Sequence, residues 1–171
     1  MSPLIRQLGR VSVRTISIGA LGLLMLLEGF SALPYKDIAG IWTDGYGNTH
    51  GVRPGVAVTE AQAQATLQAH VDSFGAAVLA ALKVPPTQGQ FDAYLLLTYN
   101  IGAAAFRSSS TVRAHNSGDP FAACLYLMRW NKVTLPDGRK VIARGLVNRR
   151  YTEYNVCLAG IPNVGYVPRR N

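Results

Sequence analysis

Apolar positions recur with a helical period through most of this chain. Leu67, Val71, Phe74, Val78 and Leu82 fall three or four places apart and form one stripe, the signature of an amphipathic helix. Its start is marked by Thr59-Glu60-Ala61-Gln62, where a threonine caps the backbone three residues on and a glutamine reaches back, so a helix is predicted from there to about Leu82. "VPP" at 84–86 breaks the pattern. Thr87 to Gln90 repeats the capping sequence ahead of "FDAYLLLTYNIG", a nearly unbroken apolar run that Gly102 can end, which predicts a central helix buried on all sides. Two shorter helices are expected next, one after Ser108 and stopped by "NSGD", the other capped by Asp119 with Pro120 in its first turn and running to Trp130. "VTLPDGRKV" reads as a small hairpin around Pro136-Asp137-Gly138. A last helix, about 145–158, puts Val147, Tyr151, Tyr154 and Leu158 on one face, and the chain after it reads as irregular.

Residues 35–55, "YKDIAGIWTDGYGNTHGVRPG", break the helical period. Five glycines, three aromatics and alternating small and large side chains suit short twisted strands joined by tight turns. The pattern therefore predicts an α+β domain, mainly α, with one small sheet just after the first helix. A cleft is expected where such unlike parts meet.

The N-terminus stands apart. Arg6, Arg10 and Arg14 precede "TISIGALGLLMLL", an uncharged run that as a helix is about 20 Å long, short of the roughly 30 Å hydrocarbon core of a bilayer. It is either a membrane-directed element or the buried first helix of the domain. Cleavage near Ser31-Ala32 would remove Glu28 with the leader. The whole chain, 171 residues with 17 Lys+Arg against 9 Asp+Glu, carries a formal charge of +8 and favours an anionic partner. The basic residues are spread from Arg6 to Arg170 with no arginine-rich run among aromatics, so nucleic acid is not the expected partner.

Beside the expected cleft the polar candidates are Glu28, Asp37, Thr43 and Asp44. Glycosidic cleavage needs one protonated carboxyl to donate to the leaving oxygen and a second carboxylate to orient or activate water. Glu28, flanked by Leu26, Leu27 and Phe30, has neighbours that would favour its protonated form by desolvation, and Asp37 in the polar "YKD" turn is expected to stay ionised. Two carboxylates nine positions apart are by themselves weak grounds for a reaction.

Several motifs in order add to this. Glu28-Gly29, Pro34-Tyr35-Lys36-Asp37, Gly40-Ile41-Trp42-Thr43 and Gly45-Tyr46-Gly47, then "QFDAYLLLTYNIGAAAFRSSST", "RW" at 129–130 and "GLVNRRYTEY" at 145–154, resemble the phage-type lysozymes, the endolysins, over about residues 16–158. That family's Glu, Asp nine residues later and Thr six beyond fall on Glu28, Asp37 and Thr43. The resemblance implies a lysozyme-like two-lobed domain with a small antiparallel sheet beside a helical lobe. It implies hydrolysis of the β-1,4 bond between N-acetylmuramic acid and N-acetylglucosamine in bacterial peptidoglycan, causing host lysis, with inversion at the sugar. Glu28 would be the general acid, Asp37 would position the attacking water and Thr43 would help hold it. Asn100 matches a cleft-facing position, and of the adjacent arginines helical phase favours Arg150 over Arg149 as the one near Glu28. No metal or cofactor is implied. The rival readings are a lytic transglycosylase, which makes an anhydro product without water, and a non-enzymatic cationic binder of wall or membrane.

The resemblance also gives the organisation: a basic targeting region at 1–14, an apolar helix at 15–27, a catalytic domain at 28–158 with its first helix from about 16, and a tail at 159–171. The apolar helix resembles the signal-anchor-release elements of some endolysins, which implies a monomer in the host periplasm, first tethered to the inner membrane by an uncleaved anchor. Gly19, Ala20 and Gly22 keep that segment weakly hydrophobic, which lowers the cost of leaving the bilayer. For an enzyme working outside the cytoplasm a Cys124–Cys157 bond is the expectation if their Cα atoms lie within about 7 Å, and buried free thiols are the alternative. One departure from the family is Asn48 where a His is common, with a His displaced to position 50. His50, His70 and His115 share no metal-ligand spacing, and Ser110, His115 and Asp119 straddle a helix and its cap, which argues against a triad.

Overall fold

The computed structural model describes residues 15–37 and 40–161, so the basic N-terminal region and nearly all of the C-terminal tail lie outside the described residues. The order is α1 (Ile18–Glu28), β1 (Ser31–Lys36), β2 (Trp42–Gly45), α2 (Glu60–Ala81), α3 (Gln88–Ile101), α4 (Ala103–Arg107), α5 (Ser110–Asn116), α6 (Pro120–Leu125), a 3-10 turn (Tyr126–Arg129), β3 (Lys132–Thr134), β4 (Lys140–Ile142) and α7 (Arg144–Ala159). Both predicted capping boxes form: the Thr59 and Thr87 side chains accept from Gln62 N and Gln90 N, and both glutamines return a bond to the cap. Gly102, at φ +84°, ends α3.

α3 is the axis of the helical lobe. Every residue from Gln90 to Thr98 is buried, so the helix is covered on all sides by α2, α7, α4 and α1. Leu24, Leu67, Val71, Phe91, Tyr94, Phe106 and Leu127 share this core. The smaller part is the antiparallel β1–β2 pair, in which Tyr35 faces Thr43 and Lys36 faces Trp42. It packs on α2 through Gly45, where a Cβ would come within 2.9 Å of the Ala63 Cβ at a φ of +55°, so space and backbone both demand glycine. Tyr46 completes the join: its hydroxyl donates to Glu60 Oε1 (3.1 Å) and its carbonyl accepts from Tyr99 (2.9 Å).

The differences from the sequence expectation are local. The sheet begins at Ser31, before the predicted segment, and ends at Gly45, because Gly51 and Gly55 at positive φ and Pro54 turn the rest into loop. α4 follows Gly102 with no periodicity to announce it. The helix expected to reach Trp130 tightens into the 3-10 turn after Leu125. On α7 the predicted apolar face is only partly inward: Tyr154 and Leu158 pack against the core, but Tyr151 is 56% exposed, and the buried residues are Arg149, Arg150, Glu153 and Cys157.

Cys124 of α6 and Cys157 of α7 are joined by a disulfide with a Cα separation of 5.7 Å. It ties α7, and with it the inward-facing charges, to the helical lobe. The bond spans a sequence separation of 33, for which chain entropy gives up to about 4 kcal/mol of stabilisation. Replacing both cysteines by serine is expected to lower urea-unfolding stability by that order. An unchanged midpoint would show that the bond does not form in the folded protein.

Candidate active site

Glu28 is the last residue of α1. Gly29, at φ +70°, stops the helix and returns its N–H to Met25 O (3.0 Å). The Glu28 carboxylate is mostly covered, with its side chain 18% exposed, and Oε1 lies 2.9 Å from Arg149 Nη2. Its apolar sequence neighbours do not crowd it as expected. Leu26 is 83% and Phe30 42% exposed, and the group that touches the carboxylate is a guanidinium. On the other side Oε2 faces the turn after β2, at 3.6 Å from where a Cβ on Gly47 would stand.

Arg149 belongs to a buried charged chain. Its Nε donates to Glu153 Oε1 (3.1 Å), and Nη2 donates to the Leu96 carbonyl of α3 (3.3 Å). The contact with Glu28 is thus electrostatic and not an aligned hydrogen bond, since Glu28 Oε1 has no hydrogen-bond partner. Glu153 Oε1 also takes Arg150 Nη2 (3.1 Å), and that same nitrogen donates to Asn100 Oδ1 (2.8 Å). Burial pushes the Glu153 carboxyl up to about 7, with Arg150 and Arg149 pulling it down, and burial lowers Arg150 to about 10 against the pull of Glu153. Tyr99 is raised to about 12 by burial and by the Glu28 charge, with Arg149 opposing.

The arginine that reaches Glu28 is therefore Arg149. Helical phase favours Arg150 because the predicted stripe includes Tyr151, which stands largely in solvent and shifts the apparent inward face. Asn100 stands exposed at the end of α3, with its side-chain oxygen committed to Arg150.

Asp37 and Thr43 are brought together by one residue. The Ile41 N–H donates to Asp37 Oδ1 (2.8 Å), while the Ile41 carbonyl accepts from Asp37 N (2.9 Å) and from the Thr43 hydroxyl (3.2 Å). Thr43 is buried and fixed by its pairing with Tyr35. Asp44 has a different duty: its Oδ1 accepts from Asn48 Nδ2 (2.9 Å), and the two residues exchange backbone hydrogen bonds, closing the tight turn that carries Gly47.

Other candidates fall away from the site. His115 bonds the Tyr94 hydroxyl (3.2 Å) and the Val84 carbonyl (2.9 Å), and Asp119 caps α6, so no triad with Ser110 exists. Among the described residues no group of three or more His, Cys, Asp or Glu could hold a metal ion. The site residues that sequence reasoning missed are Tyr99 and Glu153, while Arg149 is the arginine that helical phase ranks second. Arg149 and Glu153 have i,i+4 spacing, a signal that ordinarily marks a solvated helix face.

A small sheet set against a bundle built on one buried helix, with a carboxylate where they meet, defines a lysozyme, a hydrolase of the bacterial cell wall. The muramidase domain of SpmX from Asticaccaulis excentricus has this fold at a TM-score of 0.79 and 31% identity, covering 85% of this chain and 99% of that one. The chain belongs to the phage lysozyme family, whose model matches residues 26–153. An endolysin from Escherichia coli O157:H7 phage FAHEc1 is 39% identical with a TM-score of 0.80, over 88% of this chain and 98% of that one. A SAR-endolysin of Pseudomonas phage phiKMV is 37% identical over 139 residues, 81% of this chain and 86% of the relative. The protein is accordingly an endolysin that acts on peptidoglycan.

Glu153 gives this site a pH signature. Its folded value, about 7, lies above its ordinary 4.5, so the folded protein keeps a proton that the unfolded chain has released. The stability this provides is fully present below 4.5 and is lost as pH rises through about 7. Wild-type stability is therefore expected to fall relative to Glu153→Gln, by on the order of 3 kcal/mol, between pH 4.5 and 8. Thermal unfolding of both proteins across that range checks it, and a constant difference would mean that Glu153 does not titrate there.

Proposed function

We propose that the protein is a muramidase that hydrolyses the β-1,4 bond between N-acetylmuramic acid and N-acetylglucosamine, with Glu28 as the general acid. The observation that carries this is the placement of Glu28. Its Oε1 is engaged by Arg149 and its Oε2 faces the turn at Gly47, so the carboxyl has a fixed orientation and one oxygen from which to donate a proton. The SpmX relative is itself described as a muramidase domain.

Asp37 positions the attacking water in this reading, and Thr43, bonded to the same Ile41 peptide, helps to hold it. Water attacks the anomeric carbon as the glycosidic bond breaks. The leaving sugar oxygen takes the Glu28 proton and the water proton passes to Asp37, giving a reducing end with inverted configuration. Asn100 borders the cleft as a sugar-binding group.

Glu28→Gln cannot donate the proton and is expected to lose about 10²-fold to 10⁴-fold in the release of reducing ends from purified peptidoglycan. A variant that still clears peptidoglycan at the wild-type rate excludes Glu28 as the acid. Product analysis of the wild type separates hydrolysis from transglycosylation, since 1,6-anhydro ends in place of reducing ends would sink the hydrolytic reading.

The N-terminal segment serves, in the same proposal, as a releasable anchor in the host inner membrane. Among the described residues no helix is long and apolar enough to cross a membrane, and α1 in the folded enzyme is only an 11-residue helix. Support comes from its exposed apolar face, where Ile18 is 91% and Leu26 83% exposed, and from the SAR-endolysin relative. Residues of α1 held in a bilayer cannot at the same time carry Glu28 to Arg149, so the tethered enzyme is inactive. Fractionation of host cells before lysis, with the membrane energised, is expected to find the protein with the membrane; protein found only in the soluble fraction refutes the tether.

A further inference from the structure

We infer that Asp92 of α3 is a positioning residue for Glu28, acting through the far end of α1. This rests on the reading of Glu28 as the acid. Along α1, Ala20 and Leu24 are buried and Leu21, Leu23, Met25 and Leu27 pack partly buried against the core, while a Cβ added at Gly19 or Gly22 would meet nothing within 4 Å. Apolar contact of this kind is non-directional and does not by itself fix a helix in rotation or along its axis.

Two polar attachments do that. At the C-terminal end Glu28 meets Arg149. At the N-terminal end the Ser17 N–H donates to Asp92 Oδ1 (3.0 Å), across 75 residues of sequence. Ser17 is also the cap of α1, its hydroxyl accepting from Ala20 N (3.2 Å), so the bond to Asp92 grips the first turn of the helix itself. Gln88, one turn before Asp92, donates to both Asp92 Oδ1 (2.9 Å) and the Thr15 carbonyl (2.9 Å), adding a second hold on the chain entering α1.

Asp92 is 4% exposed, a carboxylate taken out of water to receive one backbone N–H and one side-chain amide. Its platform is rigid. The start of α3 touches the end of α7 so closely that a Cβ on Gly89 would lie 2.5 Å from the Val156 carbonyl. The same two helices, α3 and α7, thus hold α1 at both ends, and its length is set between Asp92 and Arg149. Loss of the first hold leaves α1 free to slide or turn, and the carboxyl at its end moves with it.

The test uses the full folded chain and purified peptidoglycan. Asp92→Ala is expected to lower kcat by about 10²-fold with KM changed less than about twofold, because the misplaced group acts in the transition state and not in binding. Asp92→Asn, whose amide oxygen can still accept from Ser17, is expected to restore most of the rate. Amide hydrogen exchange in Leu21–Glu28 should quicken in Asp92→Ala while α2 and α3 keep their protection. A wild-type kcat in Asp92→Ala overturns the proposal, as does equal impairment of the Ala and Asn variants.

Should Asp92→Ala fail to fold, Ser17→Pro and Ser17→Ala replace it. Both remove the cap, but only proline removes the N–H that Asp92 accepts, and Ser17 has a φ of −69° that proline can adopt. A lower kcat in Ser17→Pro than in Ser17→Ala supports the positioning role, and equal rates overturn it. If wild-type protein releases no reducing ends, the acid reading has failed, and hydrogen exchange alone still decides whether Asp92 anchors α1.

Discussion

Glu28, Arg149, Glu153, Arg150 and Asn100 form one polar chain, buried at Arg149, Arg150 and Glu153 and reaching the surface at Asn100, and the rest of the molecule is arranged around it. The chain crosses three helices: Glu28 ends α1, Asn100 lies on α3 and the other three lie on α7. It is formally neutral when all four charged groups are ionised, which is what allows such a set to be buried. It is not a source of stability. Desolvating two arginines and two carboxylates costs several kcal/mol per ion, and Arg150 Nε and Nη1 and Glu153 Oε2 are buried without a hydrogen-bond partner. The upward push on Glu153 and the downward push on Arg150 have that origin, with burial outweighing attraction in both. What the network supplies is position, because each charge has few alternative places where its partner is also satisfied.

Position of that kind needs a rigid frame. α3 supplies it by being buried on every side from Gln90 to Thr98, so that the Leu96 carbonyl and Asn100 stand at fixed points along it. α7 is held against α3 by the Gly89–Val156 approach near one end and tied to α6 by the Cys124–Cys157 bond. The charged residues of α7 are therefore held inward by these constraints together with the packing of Tyr154, Val156 and Leu158 on the core. The small sheet is fitted afterwards: Tyr99 donates to Tyr46 and sets the β2 turn over Glu28, while the Ile41 peptide joins Asp37 to Thr43.

How much of this was legible in the sequence follows from which forces wrote it. Capping is local chemistry, and Thr59, Thr87, Asp119 and Gly102 announced helix ends that the structure contains. The all-round burial of α3 was equally readable from its composition. α7 was legible as a helix but not in its inward face, because Arg149, Arg150 and Glu153 buried beside its apolar residues break the rule by which apolar periodicity reports burial. Charges three and four apart look alike whether water or a carboxylate on another helix neutralises them, and only the tertiary fold distinguishes the two. That also explains the choice between neighbouring arginines, since a stripe taken from partly exposed residues gives the wrong phase. The proposed pairing of Glu28 with Asp37 and Thr43 came from family resemblance; spacing alone left it one of many such coincidences.

The first helix shows why polar attachment suits this enzyme. A helix that docks through a broad apolar face is held by an interaction without direction, one that a bilayer satisfies equally well. α1 leaves Ile18 and Leu26 in water, packs Leu24 and the leucines around it on the core, and is fixed in place at its two ends, Ser17 on Asp92 and Glu28 on Arg149. Hydrogen bonds and ion pairs at fixed points have direction, and neither partner is available in hydrocarbon. Docking of this form tolerates exposed apolar surface, which the proposed membrane anchor would need, while still bringing one carboxyl to one place. Under that proposal the composition of α1 is a compromise between two environments, and its polar ends are what make the folded one specific.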